Sequence, residues 1–135
     1  MSGTDSGEPR GSSPRLFVHL GVFLALLGVW TWKLLEPHPV PPSIREGLSA
    51  AVLLILAKSA HAGVYGFLAV LAWTLPVSRR WRVFLVVFLL LHGVGTEIGQ
   101  TYVPNRTGKV TDVLIDWAGI TAGLLALRGW NRRPA

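Results

Sequence analysis

The sequence contains no cysteine and few charged residues. The absence of cysteine excludes disulfides and every reaction that requires a thiol. Charged residues make up 15% of the chain and apolar residues 50%, and the apolar residues come in long runs rather than in the short alternations of a soluble domain. This composition is typical of an integral membrane protein. A chain of 135 residues has room for about four spans of roughly twenty residues, and therefore for one domain.

Four apolar runs are candidate spans, at residues 16–35, 48–77, 83–103 and 110–127. The first run could be a signal peptide, but it has nearly full spanning length and ends in Trp30, Trp32 and Lys33 rather than at a small-residue cleavage site. The sequence therefore predicts an all-α bundle of four transmembrane helices over residues 15–128. A disordered tail over residues 1–14 and a basic tail over 129–135 are predicted to flank it.

The second run is longer than one simple span requires. Ser43 is followed three residues later by Glu46, a spacing typical of a capping box, and this predicts a helix from Ile44 to Leu75. At 1.5 Å per residue such a helix exceeds the roughly 30 Å of membrane hydrocarbon. We expect the surplus, residues 44–57, to form an interfacial or re-entrant helix before the second span.

The basic residues are unevenly divided between the two sides of a four-span protein. One side has eight arginines, in the two tails, at the adjoining ends of the first and last spans and in the connector after the second span, whereas the other has Lys33, Arg45, Arg106 and Lys109. An excess of basic residues marks the cytoplasmic side. We therefore predict a multi-pass protein of the cytoplasmic membrane with both termini cytoplasmic. The same asymmetry explains the net charge of +6, so no nucleic-acid partner is predicted.

Polar and ionisable side chains are concentrated near one end of three apolar runs. They are Lys58, His61 and Tyr65 in the second run, Glu97 and Gln100 in the third, and Asp112 and Asp116 in the fourth, with Arg106 in the connector before it. Spacings of three and four place the residues of each run on one helix face. Counting from the basic side places the acids and the histidine at similar depths near the outer boundary. Because ionisable residues in spans are costly and usually functional, we predict that they meet in an outward-facing polar pocket.

Each of these residues also has a structural interpretation. Lys58 can extend its ammonium to the membrane interface, and His61 can be a buried histidine satisfied by packing. Glu97 and Asp112 can pair with nearby cations simply to hold the helices together. His92, near the middle of the third run, has no evident partner in the sequence and is assigned to helix packing.

The order and spacing of the polar residues resemble VanZ-like membrane proteins. The pattern is Lys58-x-x-His61-x-x-x-Tyr65, then Glu97-x-x-Gln100, then Arg106-Thr107-Gly108, then Asp112-x-x-x-Asp116-x-x-Gly119-x-x-x-Gly123. It covers residues 58–123. Ala57 stands where the family often has Asp, and Asp116 stands where Asn is common. The resemblance implies a role at the outer face of a bacterial cell envelope, since the founding member is associated with teicoplanin resistance. Nothing in this sequence points to resistance in particular.

Two function classes lead the interpretation. We favour a non-enzymatic protein whose pocket binds an anionic or glycosylated headgroup of a membrane lipid or lipid-linked envelope precursor. Lys58, Arg106 and Lys109 would contact phosphate, while the carboxylates and Gln100 would orient these cations and bond to hydroxyls. The alternative is a small membrane enzyme acting on such a lipid, with His61 and the carboxylates as acid-base groups or metal ligands.

The metal variant of the enzyme is the weaker one. One histidine and scattered carboxylates lack a spacing as diagnostic as His-Glu-x-x-His, so neither a metal nor a cofactor is predicted. A transporter ranks third, because four spans form a narrow bundle and a transport pathway would require a dimer. A homo-oligomer is therefore left open as a further partner.

Overall fold

The computed structural model describes residues 14–130, and every regular element in that range is a helix. The helices are α1 Pro14–Leu35, α2 Pro42–Gly47, α3 Ala50–Thr74, α4 Arg79–Gln100 and α5 Val110–Trp130. Four of them, α1, α3, α4 and α5, have 21 to 25 residues and are apolar enough to cross a membrane. The predicted all-α bundle of four spans is confirmed. Residues 1–13 and 131–135, which make up most of the two predicted tails, lie outside the described range.

The continuous helix predicted from Ile44 to Leu75 is wrong. The chain breaks at Leu48, which is extended with φ −125° and ψ 145°, and α3 starts anew behind Ser49, whose side chain accepts a hydrogen bond from Val52 N at 3.3 Å. Gly47 is a poor helix former and serine a strong N-cap, so the break has a local cause. The predicted capping box does not form, because α2 has no side-chain cap. The helix before the second span is thus the six-residue α2.

Helices α3 and α5 pack with their backbones in contact. A Cβ added at Gly119 would overlap the backbone carbonyl of Ala62, and one at Gly123 would overlap that of Gly66. In the reverse direction, a Cβ at Gly66 would lie 2.8 Å from the carbonyl oxygen of Gly119. Small residues allow this close approach between membrane helices. It places the polar residues of α3 directly opposite those of α5.

The apolar residues of the bundle face both inward and outward. Large apolar side chains such as Phe17, Ile55 and Leu91 are 61%, 64% and 65% exposed, which a soluble monomer rarely shows over so wide an area. Exposed apolar side chains on long helices are what a lipid-facing surface requires. The chain is a multi-pass membrane protein. Its buried apolar core comprises Phe23, Leu34, Tyr65, Leu68, Ala69, Ala72, Leu89 and Ile120.

Two connectors share one end of the bundle. Residues 36–49 join α1 to α3, and residues 101–109 join α4 to α5, so both lie opposite the short connector between α3 and α4. In the second connector Asn105 has a left-handed backbone with φ 62°, a conformation that asparagine tolerates better than most residues. Gly108 lies against the backbone carbonyl of Glu97, where a Cβ would overlap it. The connector is therefore seated on the end of α4.

Candidate functional site

Two polar pairs join α3 to α5. The ammonium of Lys58 forms an ion pair with Oδ1 of Asp112, and one turn deeper Nδ1 of His61 lies 2.8 Å from Oδ1 of Asp116. A carboxylate accepts hydrogen bonds, so the imidazole Nδ1–H donates. The two helices thus meet through a ladder of ionisable groups at the end of the bundle that carries the two long connectors.

Glu97 connects α4 to the connector that precedes α5. Its Oε2 accepts a hydrogen bond from the backbone N–H of Lys109 at 2.7 Å, and its Oε1 accepts one from Nε2 of Gln100 at 3.3 Å. Both side chains belong to buried residues, 4% and 2% exposed for Glu97 and Gln100. The carboxylate is therefore held in place by two donors in a region with little water.

His61 and Asp116 are enclosed by neighbours from the other helices. The indole of Trp30 packs against the imidazole of His61 edge to face, with ring centroids 5.5 Å apart. Asp116 is fully buried, and its Oδ2 has no hydrogen-bond partner among the described residues. Gly93 makes room for it, since a Cβ there would lie 3.1 Å from that oxygen. The packing holds the imidazole in one orientation.

These contacts define one polar cluster drawn from three helices. One nitrogen of His61 and one carboxylate oxygen each of Glu97 and Asp112 all lie within 4.8 Å of one another. The cluster contains three carboxylates and one ammonium. Hereafter the polar cluster means Lys58, His61, Glu97, Gln100, Asp112 and Asp116.

Tyr65 contacts a second set of polar groups, which the sequence did not reveal. Its hydroxyl lies 2.9 Å from Nδ1 of His92 and 3.5 Å from Oγ1 of Thr96. The other nitrogen of His92, Nε2, lies 2.9 Å from Oγ1 of Thr31 on α1. His92 therefore links three helices. The four-residue spacing of His92 and Thr96 was a usable signal for a shared helix face, but nothing local to α1 identifies Thr31 as a partner.

Arg106, like Tyr65, is a predicted site residue that lies outside the polar cluster. Within residues 14–130 it forms no ion pair with Glu97 or Asp112, because the first carboxylate accepts from Lys109 N and the second pairs with Lys58. Arg106 instead lines a cleft between the two long connectors, which we call the basic cleft. Its lining residues are Pro37, His38, Pro39, Val40, Arg45, Asn105 and Arg106.

A comparison with protein families decides the classification. A family model described as VanZ/LLP1 matches residues 17–131, which include all the residues of the polar cluster. The chain belongs to the VanZ/LLP1 family. Searches of curated proteins and of solved structures gave no match. The family assignment confirms the resemblance read from residues 58–123 and extends it over the first span.

In this VanZ/LLP1 chain the aspartate at position 116 has a defined contact. It accepts a hydrogen bond from His61, which the carbonyl oxygen of an asparagine side chain also does. The structure thus explains how either residue type supports the imidazole. What the aspartate adds is an acidic group beside His61, so the polar cluster of this chain can transfer protons, bind hydroxyls or hold a cation.

Proposed function

We propose that this VanZ/LLP1 protein binds the anionic or glycosylated headgroup of a bacterial envelope lipid or lipid-linked precursor at the end of the bundle that carries the long connectors. The observation that carries the proposal is the basic cleft. Arg45 from α2 and Arg106 from the other connector line it together, and neither forms an ion pair within residues 14–130. Arginine binds phosphate through paired N–H donors.

The polar cluster, whose residues belong to α3, α4 and α5, also supports the proposal. The connector that carries Arg106 is fixed to α4 by the hydrogen bond between Lys109 N and Glu97 and by the contact of Gly108 with the backbone of Glu97. A headgroup whose phosphate lies in the basic cleft would therefore have carboxylates nearby to accept bonds from sugar or glycerol hydroxyls. The ion pair with Asp112 would orient the ammonium of Lys58, and the contact of Lys58 with phosphate stays a prediction.

Removing the two arginines of the basic cleft should weaken binding of anionic lipid. Each basic side chain near an anionic headgroup contributes about 1 kcal/mol, so Arg45→Gln combined with Arg106→Gln should reduce affinity by about 2 kcal/mol, or roughly 30-fold. The measurement is thermal stabilisation of the detergent-solubilised protein by phosphatidylglycerol, with phosphatidylcholine as the neutral comparison, supported by mass spectrometry of co-purified lipid.

The matched control removes the same charge at the other end of the bundle. Arg79→Gln combined with Arg80→Gln should leave the response to phosphatidylglycerol close to that of the wild type. Equal losses in both double variants would mean that any basic surface suffices, and the basic cleft would not be the site. Equal stabilisation of the wild type by both lipids would also contradict the proposal.

An enzyme acting on the same lipid is the second candidate. It is favoured by the His61–Asp116 contact at 2.8 Å, because a buried carboxylate that orients an imidazole is the arrangement of a general base and its positioning residue. In this reading Glu97 or Asp112 would serve as the second acid-base group. Detection of a cleaved or modified lipid with the wild type, and its absence with His61→Gln, would favour this candidate over binding alone.

We further propose that the connectors at residues 36–49 and 101–109 face the outside of the cytoplasmic membrane, with both termini cytoplasmic. The support is the excess of arginines at the opposite end. The chain has no cysteine, so single cysteines can be introduced without background. Thr107→Cys should react with a membrane-impermeant thiol reagent in intact cells, whereas Ser78→Cys should react after the membrane is opened. The reverse pattern would place the polar cluster on the cytoplasmic side.

A further inference from the structure

We propose that His61, Glu97 and Asp112 bind a divalent first-row transition metal, such as Zn²⁺ or Mn²⁺. The three residues belong to α3, α4 and α5, and one ligand atom from each lies within 4.8 Å of the other two. A mixture of imidazole and carboxylate ligands suits these metals, whereas Mg²⁺ and Ca²⁺ prefer oxygen ligands alone. The inference stands on the polar cluster and does not depend on lipid binding in the basic cleft.

The spacing of the ligand atoms is close to what one ion requires. Nitrogen and oxygen ligands lie about 2.0–2.2 Å from zinc, so two ligands of one ion are separated by roughly 3–4.4 Å. Separations of at most 4.8 Å would shorten to that range if the side chains moved by about an ångström. The helices themselves do not have to move, because the three residues already converge at one depth.

Each ligand is oriented by a further contact, as metal ligands in proteins usually are. His61 Nδ1 is bonded to Asp116, which leaves the other ring nitrogen for the metal. Glu97 is held by Lys109 N. Asp112 uses Oδ1 for Lys58 and for the hydroxyl of Thr111, 3.4 Å away, and its Oδ2 has no bond within residues 14–130.

The second ring nitrogen of His61 is available to a ligand. The residue is 7% exposed, and in residues 14–130 its one hydrogen bond runs through Nδ1. A buried imidazole normally has partners for both nitrogens. One nitrogen of this ring lies within 4.8 Å of a carboxylate oxygen of Glu97 and of one of Asp112, within reach of an ion that would contact all three groups.

The charge balance favours the same occupant. Glu97, Asp112 and Asp116 carry three negative charges when ionised, and Lys58 supplies one positive charge, so two negative charges remain around a neutral His61. Unpaired charge at this depth is costly, and Arg106, a further cation expected near these carboxylates, lies in the basic cleft instead. A divalent cation neutralises the polar cluster.

Three protein ligands leave part of the coordination sphere open, which is the pattern of metal sites that take up water or a substrate oxygen. An ion here would therefore present positive charge to an oxygen ligand at the same end of the bundle as the basic cleft. The site is proposed as a metal site with an exchangeable position, not as a closed structural site.

The test is metal binding by the wild-type protein, purified without a histidine tag and stripped with a chelator. Titration with ZnCl₂ and with MnCl₂, followed by thermal shift and by the loss of the free Mn²⁺ signal in electron paramagnetic resonance, should show one ion per chain. MgCl₂ at the same concentrations should give a much smaller shift. Wild-type protein that binds neither Zn²⁺ nor Mn²⁺ would overturn the proposal without any variant having to fold.

Matched variants locate the ion. His61→Gln and Glu97→Gln should each weaken binding by more than about 100-fold, because removal of a ligand exceeds the 10- to 100-fold effect of changing an orienting residue. His19→Gln, in α1, and Glu36→Gln, whose carboxylate pairs with Lys33, should bind as the wild type does. Metal binding that survives in folded His61→Gln and Glu97→Gln proteins would place the ion elsewhere and contradict the site.

Discussion

Gly119→Ala is expected to destabilise the protein by about 2–3 kcal/mol, although it adds a single methyl group. The new Cβ would overlap the backbone carbonyl of Ala62, and a backbone group, unlike a flexible side chain, cannot rotate away. Overpacking of a tight interior costs roughly 1–3 kcal/mol and sometimes more, and here α3 and α5 must separate. The measurement is thermal and denaturant unfolding of the purified protein in detergent.

Gly95→Ala is the matched control. Gly95 is exposed and lies inside α4, and a Cβ there would meet nothing within 4 Å. The same substitution should be neutral or stabilise the helix by up to about 1 kcal/mol, since alanine is the better helix former. Gly119→Ala should also abolish the ladder of polar pairs, because Ala62 follows His61 in α3 and Gly119 lies about one turn after Asp116 in α5. Equal stability of the two variants would mean that α3 and α5 are not packed backbone to backbone.

The fold and the meeting of the acidic residues with Lys58 and His61 were accessible from the sequence for physical reasons. A span requires about twenty apolar residues, so the four runs give the helix number. The helical period then fixes which residues share a face, and length from the basic ends fixes their depth. Two residues of opposite charge on facing helices at equal depth, such as Lys58 and Asp112, are therefore expected to contact each other. The binding role of the cluster stays a prediction.

The parts that sequence reasoning missed depend on connectors and on contacts between distant helices. The break before α3 occurs because Gly47, a poor helix former, and Ser49, a strong N-cap, outweigh the apolar pattern that favours one continuous helix. Arg106 lies away from the carboxylates because the left-handed backbone of Asn105 and the contact of Gly108 with the Glu97 backbone determine the path of its connector. Neither asparagine nor glycine predicts that path from the sequence, since both occur in many kinds of turn.

Lys58→Met is expected to destabilise the protein by about 2–3 kcal/mol. It leaves Asp112 without its cation. Removal of one partner from a fully buried pair costs about 3–5 kcal/mol, and the cost expected here is smaller because the side chains are 27% and 14% exposed. Lys33→Met is the control, since the Lys33–Glu36 pair joins residues of one segment and is 41% and 27% exposed. That variant should lose less than about 1 kcal/mol.

The double variant Lys58→Met with Asp112→Leu separates the cost of an unpaired charge from the value of the pair. An apolar replacement of both partners leaves no buried charge behind, so the double variant should return to within about 1 kcal/mol of the wild type. The comparison is made by denaturant unfolding with a chelator present, so that a metal bound by Asp112 does not contribute. If the double variant is no more stable than Lys58→Met alone, then Asp112 is not left uncompensated in the single variant. The ion pair between α3 and α5 would in that case not be the contact that neutralises this carboxylate.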